Sequence, residues 1–159
     1  MSTRSYIGML QLDGTVIAVY CHNDGYPSHN GRILLEAYDN EKKVSELLAL
    51  GNLSILDREI YPKPGLPHAF GYKRDAEGWP IHFAEGFLSN RQEGVCLFYG
   101  RDRGEKGENA FFRDSAADFF RNRNDWDIDY KYLFHPDTGE WECANGNGQP
   151  YVLTQENTK

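Results

Sequence analysis

A chain of 159 residues with a formal charge of −7 and three Trp, ten Tyr and nine Phe has the size of one domain and enough apolar material for an ordinary core. Its acidity excludes nucleic-acid binding by bulk charge. Its aromatic content excludes a disordered chain, and no apolar run reaches the ~18 residues of a membrane-spanning helix. The first eight residues lack the apolar stretch of a secretory signal. Cys21, Cys96 and Cys143 are odd in number and form no CxxC pair, which points to free thiols in a reducing cytoplasm.

Residues 6–12 and 15–22 flank Asp13-Gly14 and predict a β-hairpin with a two-residue type I′ turn. That turn pairs Leu10 with Ile17, Tyr6 with Cys21 and Ser5 with His22, so Cys21 shares a face with Tyr6 and His22 lies opposite. After a polar loop capped by Ser28 or Asn30, Ile33, Leu34 and Ala37 predict a short helix ending at Tyr38. Asp39 or Asn40 caps a second helix with the stripe Val44, Leu47, Leu48 and a stop at Gly51. Residues 57–68 hold three prolines and Gly65 and read as a loop.

Strands are expected over 69–73 and 81–83, around a turn at 75–80, and a buried strand over 95–99. A charged glycine-rich loop follows at 100–108. Ser115 with Asp118 forms a capping box ahead of a helix that turns Phe119 and Phe120 inward. Residues 129–135 and 140–144 make a second hairpin, with Phe134 opposite Trp141 and Tyr132 opposite Cys143. Residues 155–159 read as a frayed tail. The sum is a single α+β domain. Its mostly antiparallel sheet is built from the two hairpins and a central strand, with about three short helices.

Ser2-Thr-Arg-Ser-Tyr-Ile-Gly8, Tyr20-Cys-His-Asn-Asp-Gly-Tyr-Pro27 and Tyr99-Gly-Arg-Asp-Arg-Gly-Glu105 resemble a family of short bacteriophage and prophage proteins. The helical stretch ending Leu50-Gly-Asn-Leu-Ser54 is similar to the same family. The resemblance covers residues 2–56 and 94–110. It implies a phage context, and no activity comes with it. Relatives carry Trp where this chain has Asn23.

Three groups of residues invite chemistry. His22, Asp24 and His29 are of the types that hold a divalent ion. The plainer reading gives Asp24 and Gly25 to a turn and His22 to a local hydrogen bond. Arg101, Arg103 and Lys106, spaced by Gly100, Gly104 and Gly107, suit an anion, with Tyr26 and Tyr99 as flat contact area. Asp102, Glu105 and Glu108 offset that charge, and a solvated turn with internal ion pairs is the competing account. Asp125, Asp127, Asp129, Asp137, Glu140 and Glu142 surround a single Lys131. Together they make an acidic surface that suits a basic partner groove, or a sheet edge guarded by charge. No GxSxG elbow is present, and Cys21 and His22 point to opposite faces of a strand.

The expected function is a non-enzymatic phage accessory protein in the host cytoplasm. It would bind a host protein or a small anionic, nucleotide-like ligand and so act in counter-defence, without a cofactor. The alternative is a metal-dependent hydrolase of a phosphate ester, with His22, Asp24 and His29 around the ion. Duplex nucleic acid and membranes are not expected partners.

Overall fold

The computed structural model describes residues 2–68, 70–72, 76–77, 87–89 and 91–159. β1 (Ser5–Leu10) and β2 (Val16–Cys21) form the first hairpin, but its loop has three residues instead of two. Gln11 N–H donates to Thr15 O (2.8 Å) and Gly14 N–H to Gln11 O (3.0 Å), with Gly14 at φ 87°. Asp13 Oδ1 accepts from the Thr15 N–H (3.0 Å) and hydroxyl (2.6 Å). A left-handed glycine closing a three-residue loop is a favoured hairpin solution. The register therefore moves by one from the expected pairing. Tyr6 faces Tyr20, and Ser5 faces Cys21. Cys21 leaves the face of Tyr6, and His22 joins the side of Tyr6 and Tyr20.

A π-helical turn at Pro27–Gly31 runs directly into α1 (Arg32–Ala37), so neither Ser28 nor Asn30 caps it. Asn30 is instead buried, its Nδ2 against Ser5 Oγ (3.4 Å), Cys21 Sγ (3.4 Å) and Asn23 O (3.3 Å). α2 (Glu41–Ala49) is capped by Asn40, whose Oδ1 accepts from Lys43 N–H, and it buries Val44, Leu47 and Leu48. The chain then turns at Gly51, φ 82°, into β3 (Leu53–Ile55).

Residues 57–68 form no helix or strand beyond an isolated bridge between Glu59 and Val95. β4 (Phe70–Tyr72) pairs with β5 (Phe87–Ser89). The strand expected over 81–83 lies outside the described residues. The strand expected over 95–99 shrinks to β6 (Leu97–Phe98), because Tyr99 opens α3 (Tyr99–Arg103). Asp102 Oδ2 draws in the Phe98 N–H (2.7 Å), and Gly104 and Glu105 N–H close the turn on Gly100 O and Tyr99 O. The 100–108 stretch is thus helical in its first part.

β7 (Phe111–Arg113) and α4 (Ala116–Arg121) follow. Ser115 Oγ accepts from Asp118 N–H (3.0 Å), and Phe119 and Phe120 are buried, as the capping box predicts. β8 (Tyr130–His135) and β9 (Glu140–Asn145) pair in the expected register, Phe134 against Trp141 and Tyr132 against Cys143. β10 (Tyr151–Val152) borders β9. The expected frayed tail is instead folded back. Thr158 is buried, its hydroxyl donating to Thr154 O (2.8 Å), and Asn157 Nδ2 donates to Val152 O (2.9 Å).

Eight strands form one sheet in the order β10-β9-β8-β1-β2-β3-β6, with β7 also on β2. The β1–β8 and β2–β3 joins are parallel and the others antiparallel. With four short α-helices among the described residues, this is an α+β fold. One sheet face packs Ile7, Val19, Tyr132, Phe134, Trp141 and Cys143 against Leu34, Leu47 and Leu48 of α1 and α2. The other packs Val16, Ala18, Leu133 and Ala144 against Phe119 and Phe120 of α4. Because β1 and β8 run parallel, with Met9 beside Phe134, the β1–β2 loop and the β8–β9 turn leave the sheet at the same end. No helix among the described residues is long and apolar enough to cross a membrane.

Candidate functional site

The loop after β2 spends its polar groups on itself. Ser2 Oγ donates to Asn23 Oδ1 (3.1 Å) and lies 3.2 Å from His22 Nε2, while Tyr20 Oη lies 2.7 Å from His22 Nδ1. One assignment places every proton: Tyr20 O–H donates to Nδ1, and Nε2–H donates to Ser2 Oγ. Asn23 Nδ2 continues the chain to Ser54 O (2.9 Å) and Oγ (3.1 Å). Partial burial, helped by the Arg4 charge, lowers the His22 pKa. The serine proton goes to Asn23 and not to the imidazole, so this is not a nucleophile–base pair.

Asp24, at φ 56°, accepts from Tyr26 O–H (3.3 Å), and His29 Nδ1 lies 2.9 Å from Asn30 Oδ1. Tyr26 meets His29 edge-on and stays exposed. Among the described residues, no three His, Cys, Asp or Glu side chains are grouped to hold a metal, and His22, Asp24 and His29 are not drawn together.

The loop after β6 is equally committed at its centre. Arg101 donates from Nη1 to Ile60 O (2.6 Å) and from Nη2 to Cys96 O (3.1 Å) and Asp102 Oδ2 (3.1 Å), and its guanidinium lies over Phe98. His68, which the sequence reading passed over, completes this clasp. Its Nδ1 accepts from Gln92 N–H (3.0 Å), so Nε2–H donates to Cys96 O (2.8 Å). The cluster ties residues 60–68 to 91–102. Arg101 is therefore a half-buried strut, whereas Arg103, which pairs with Glu105 (3.5 Å), and Lys106 are exposed. Burial raises the Tyr99 pKa, offset in part by a hydrogen bond with Ser54. Tyr99 thus meets the end of the His22 chain, while Tyr26 stays with His29.

Of the six carboxylates of the acidic end only Asp125 is withdrawn from the surface. Asp125 is buried between Lys131 and Arg113, Asp127 pairs with Arg4 (3.8 Å), and Glu142 is hydrogen-bonded to His135. Asp129 Oδ2 accepts from Arg4 N–H (2.9 Å), and Asp127, Asp129, Asp137 and Glu140 remain exposed.

Where the two hairpin loops emerge side by side, a groove of about 900 Å³ opens. Its apolar lining is Met9, Leu10, Leu12, Phe112 and Pro136, and its charged lining is Asp13, Glu41 and Asp137. Leu12 at the hairpin tip is fully exposed and Phe112 is 65 % exposed. Phe112 faces out because β7 alternates and Phe111 packs inward on Tyr6 (ring centroids 4.7 Å). Glu41 sits in the first turn of α2 and Asp137 in the β8–β9 turn. Of these residues only Asp137 stood among the candidate binding groups of the sequence. The available signals were a leucine inside a hairpin loop and two adjacent phenylalanines on a short strand.

No family model, curated protein or solved structure matches the chain significantly.

Proposed function

We propose that the chain is a non-enzymatic accessory protein that acts by binding a host protein, with the groove at the hairpin end as its docking site. The observation that carries this reading is the pair of exposed apolar side chains, Leu12 and Phe112, on one groove. Grouped exposed apolar surface marks an interaction site more often than scattered single residues do. The polar groups that would serve catalysis support the same reading, since His22, His68 and Arg101 are each occupied by internal partners. The small-anion reading loses its central residue with Arg101 turned inward, and no Lys or Arg among the described residues lines the groove. The motif resemblance supplies the phage setting, in which interference with a host defence is the role that fits a binding protein.

The test is purification of the untagged protein from infected host cells. A stoichiometric protein partner is expected, and repeated recovery of none would overturn the reading. Stoichiometric zinc or manganese in the purified protein, lost in His22→Ala, would overturn the pure-binding reading in favour of the metal-dependent alternative.

A further inference from the structure

Resting on that reading, we infer that the groove takes a positively charged segment of the partner protein that also carries large apolar side chains. Among the described residues, all the charged residues that line the groove are acidic: Asp13 on the hairpin loop, Glu41 at the start of α2 and Asp137 on the β8–β9 turn. All three are exposed. Asp13 is held in place by the two bonds from Thr15 to one of its oxygens. An apolar partner would strip water from these carboxylates and give nothing back, at a cost that opposes docking. Lysine or arginine at the rim removes that cost, and the arginine fork matches a carboxylate best.

The same rim repels phosphate, which disfavours nucleic acid and anionic lipid as occupants. A second copy of this chain brings a charge of −7 and the same acidic rim, so self-association through this face is disfavoured too. A small molecule could fill the floor beside Met9 and Leu10. It could not cover Leu12, whose side chain stands wholly in solvent at the tip of a loop. The surface that covers Leu12 and Phe112 together belongs to a macromolecule, and complementarity makes it basic at its edge and apolar at its centre.

The test is a ¹⁵N-resolved NMR titration of the full chain with three synthetic peptides. One alternates Arg with Leu and Phe. One carries Glu in place of Arg, and one carries Ser in place of Leu and Phe. Only the first is expected to bind, with shift changes confined to residues 9–15, 41, 112 and 136–137. Its affinity should fall about tenfold or more in Asp13→Asn/Glu41→Gln/Asp137→Asn and in Phe112→Ser. It should also weaken with added salt. All four substituted residues are exposed, and an unchanged spectrum away from the groove verifies that each variant is folded.

Equal binding of the Glu peptide, shifts mapping elsewhere, or no binding of the Arg peptide would overturn the inference. The host-cell purification separates it from the functional reading. A partner recovered equally by wild type and the triple variant overturns the groove and leaves the function standing. Peptide binding as expected with no host partner does the reverse.

Discussion

Lys131 Nζ lies 3.1 Å from Asp125 Oδ2, with both side chains closed to solvent. The ammonium also donates to Phe120 O (3.4 Å) and Asn147 Oδ1 (3.2 Å). The other Asp125 oxygen accepts from Arg113 (3.1 Å) and Tyr6 O–H (3.3 Å). Every proton of the buried cation thus has an acceptor, which is the condition for tolerating such a charge inside. The pair joins β8 to the segment after α4 and locks α4 onto the second face of the sheet.

Removing Asp125 leaves two cations without their counter-charge, whereas removing Lys131 leaves a carboxylate still paired with Arg113. Asp125→Ala is expected to cost about 3–5 kcal/mol, and Lys131→Met clearly less. Urea denaturation of the two variants checks the order. Equal losses would mean that packing, and not charge, dominates this site.

Arg101 and Arg103 are two residues apart and should behave differently. Arg101→Gln removes charge-assisted bonds to Ile60 O, Cys96 O and Asp102, and a loss of about 2–3 kcal/mol is expected. Arg103→Gln changes an exposed residue, and its loss is expected to stay within about 0.5 kcal/mol. Unfolding midpoints that do not separate the pair would remove the strut assignment.

Gly14 and Gly51 both hold positive φ, but only one is crowded. A Cβ at Gly51 would fall onto the carbonyl oxygen of Glu108, while one at Gly14 meets nothing. Gly14→Ala is expected to cost about 1–2 kcal/mol from backbone strain alone. Gly51→Ala must also push apart the chain at Asn52 and Glu108, where Asn52 N–H donates to Glu108 O (3.0 Å). A larger loss or failure to fold is expected, read by thermal unfolding of both variants.

Alkaline pH should unfold the protein through its buried thiols and phenols. Burial pushes the Cys143 thiol up to about 11, and the Cys21 thiol and Tyr6 phenol up to about 12. It raises Cys96, Tyr38 and Tyr132 as well. In the unfolded chain these groups ionise near 9 and 10. Between about pH 9 and 12 the unfolded state therefore binds fewer protons than the folded one, and stability falls as pH rises. Burial lowers the Lys131 pKa, which acts in the opposite sense below 10.5, but it is one group against six. The urea midpoint is expected to drop between pH 8 and pH 10. At pH 8 the native thiols should resist a thiol reagent that labels all three in urea.

The register of the second hairpin was legible, and its strand ends to within one residue, because Tyr132, Phe134, Trp141 and Cys143 alternate and the turn between them is short. The first was misread by one position. Asp-Gly suits both a two-residue and a three-residue loop, and in the three-residue loop formed here Thr15 donates to Asp13 from both its N–H and its hydroxyl. That single step moved Tyr20 and His22 together to the side of Tyr6, and no local pattern announces the hydrogen-bonded chain from Ser2 to Ser54. Lys131 was counted as a surface charge, although its strand neighbour Leu133 and its partner Ala144 mark that face as buried too. The groove was hidden for a different reason. Its walls come from segments far apart in sequence, Phe112 placed by the β2–β7 pairing and the two hairpin loops brought together by the β1–β8 pairing.

That pairing also sets the order of events during synthesis. Ser5 lies beside Tyr130 and Met9 beside Phe134, so the first strand waits for more than a hundred residues before its second neighbour exists. Until then the β1–β2 hairpin shows an open edge, and a lone hairpin is marginal in water. Folding of the sheet is therefore a late, long-range closure, slow for a chain of this size and exposed to off-pathway strand addition while it waits.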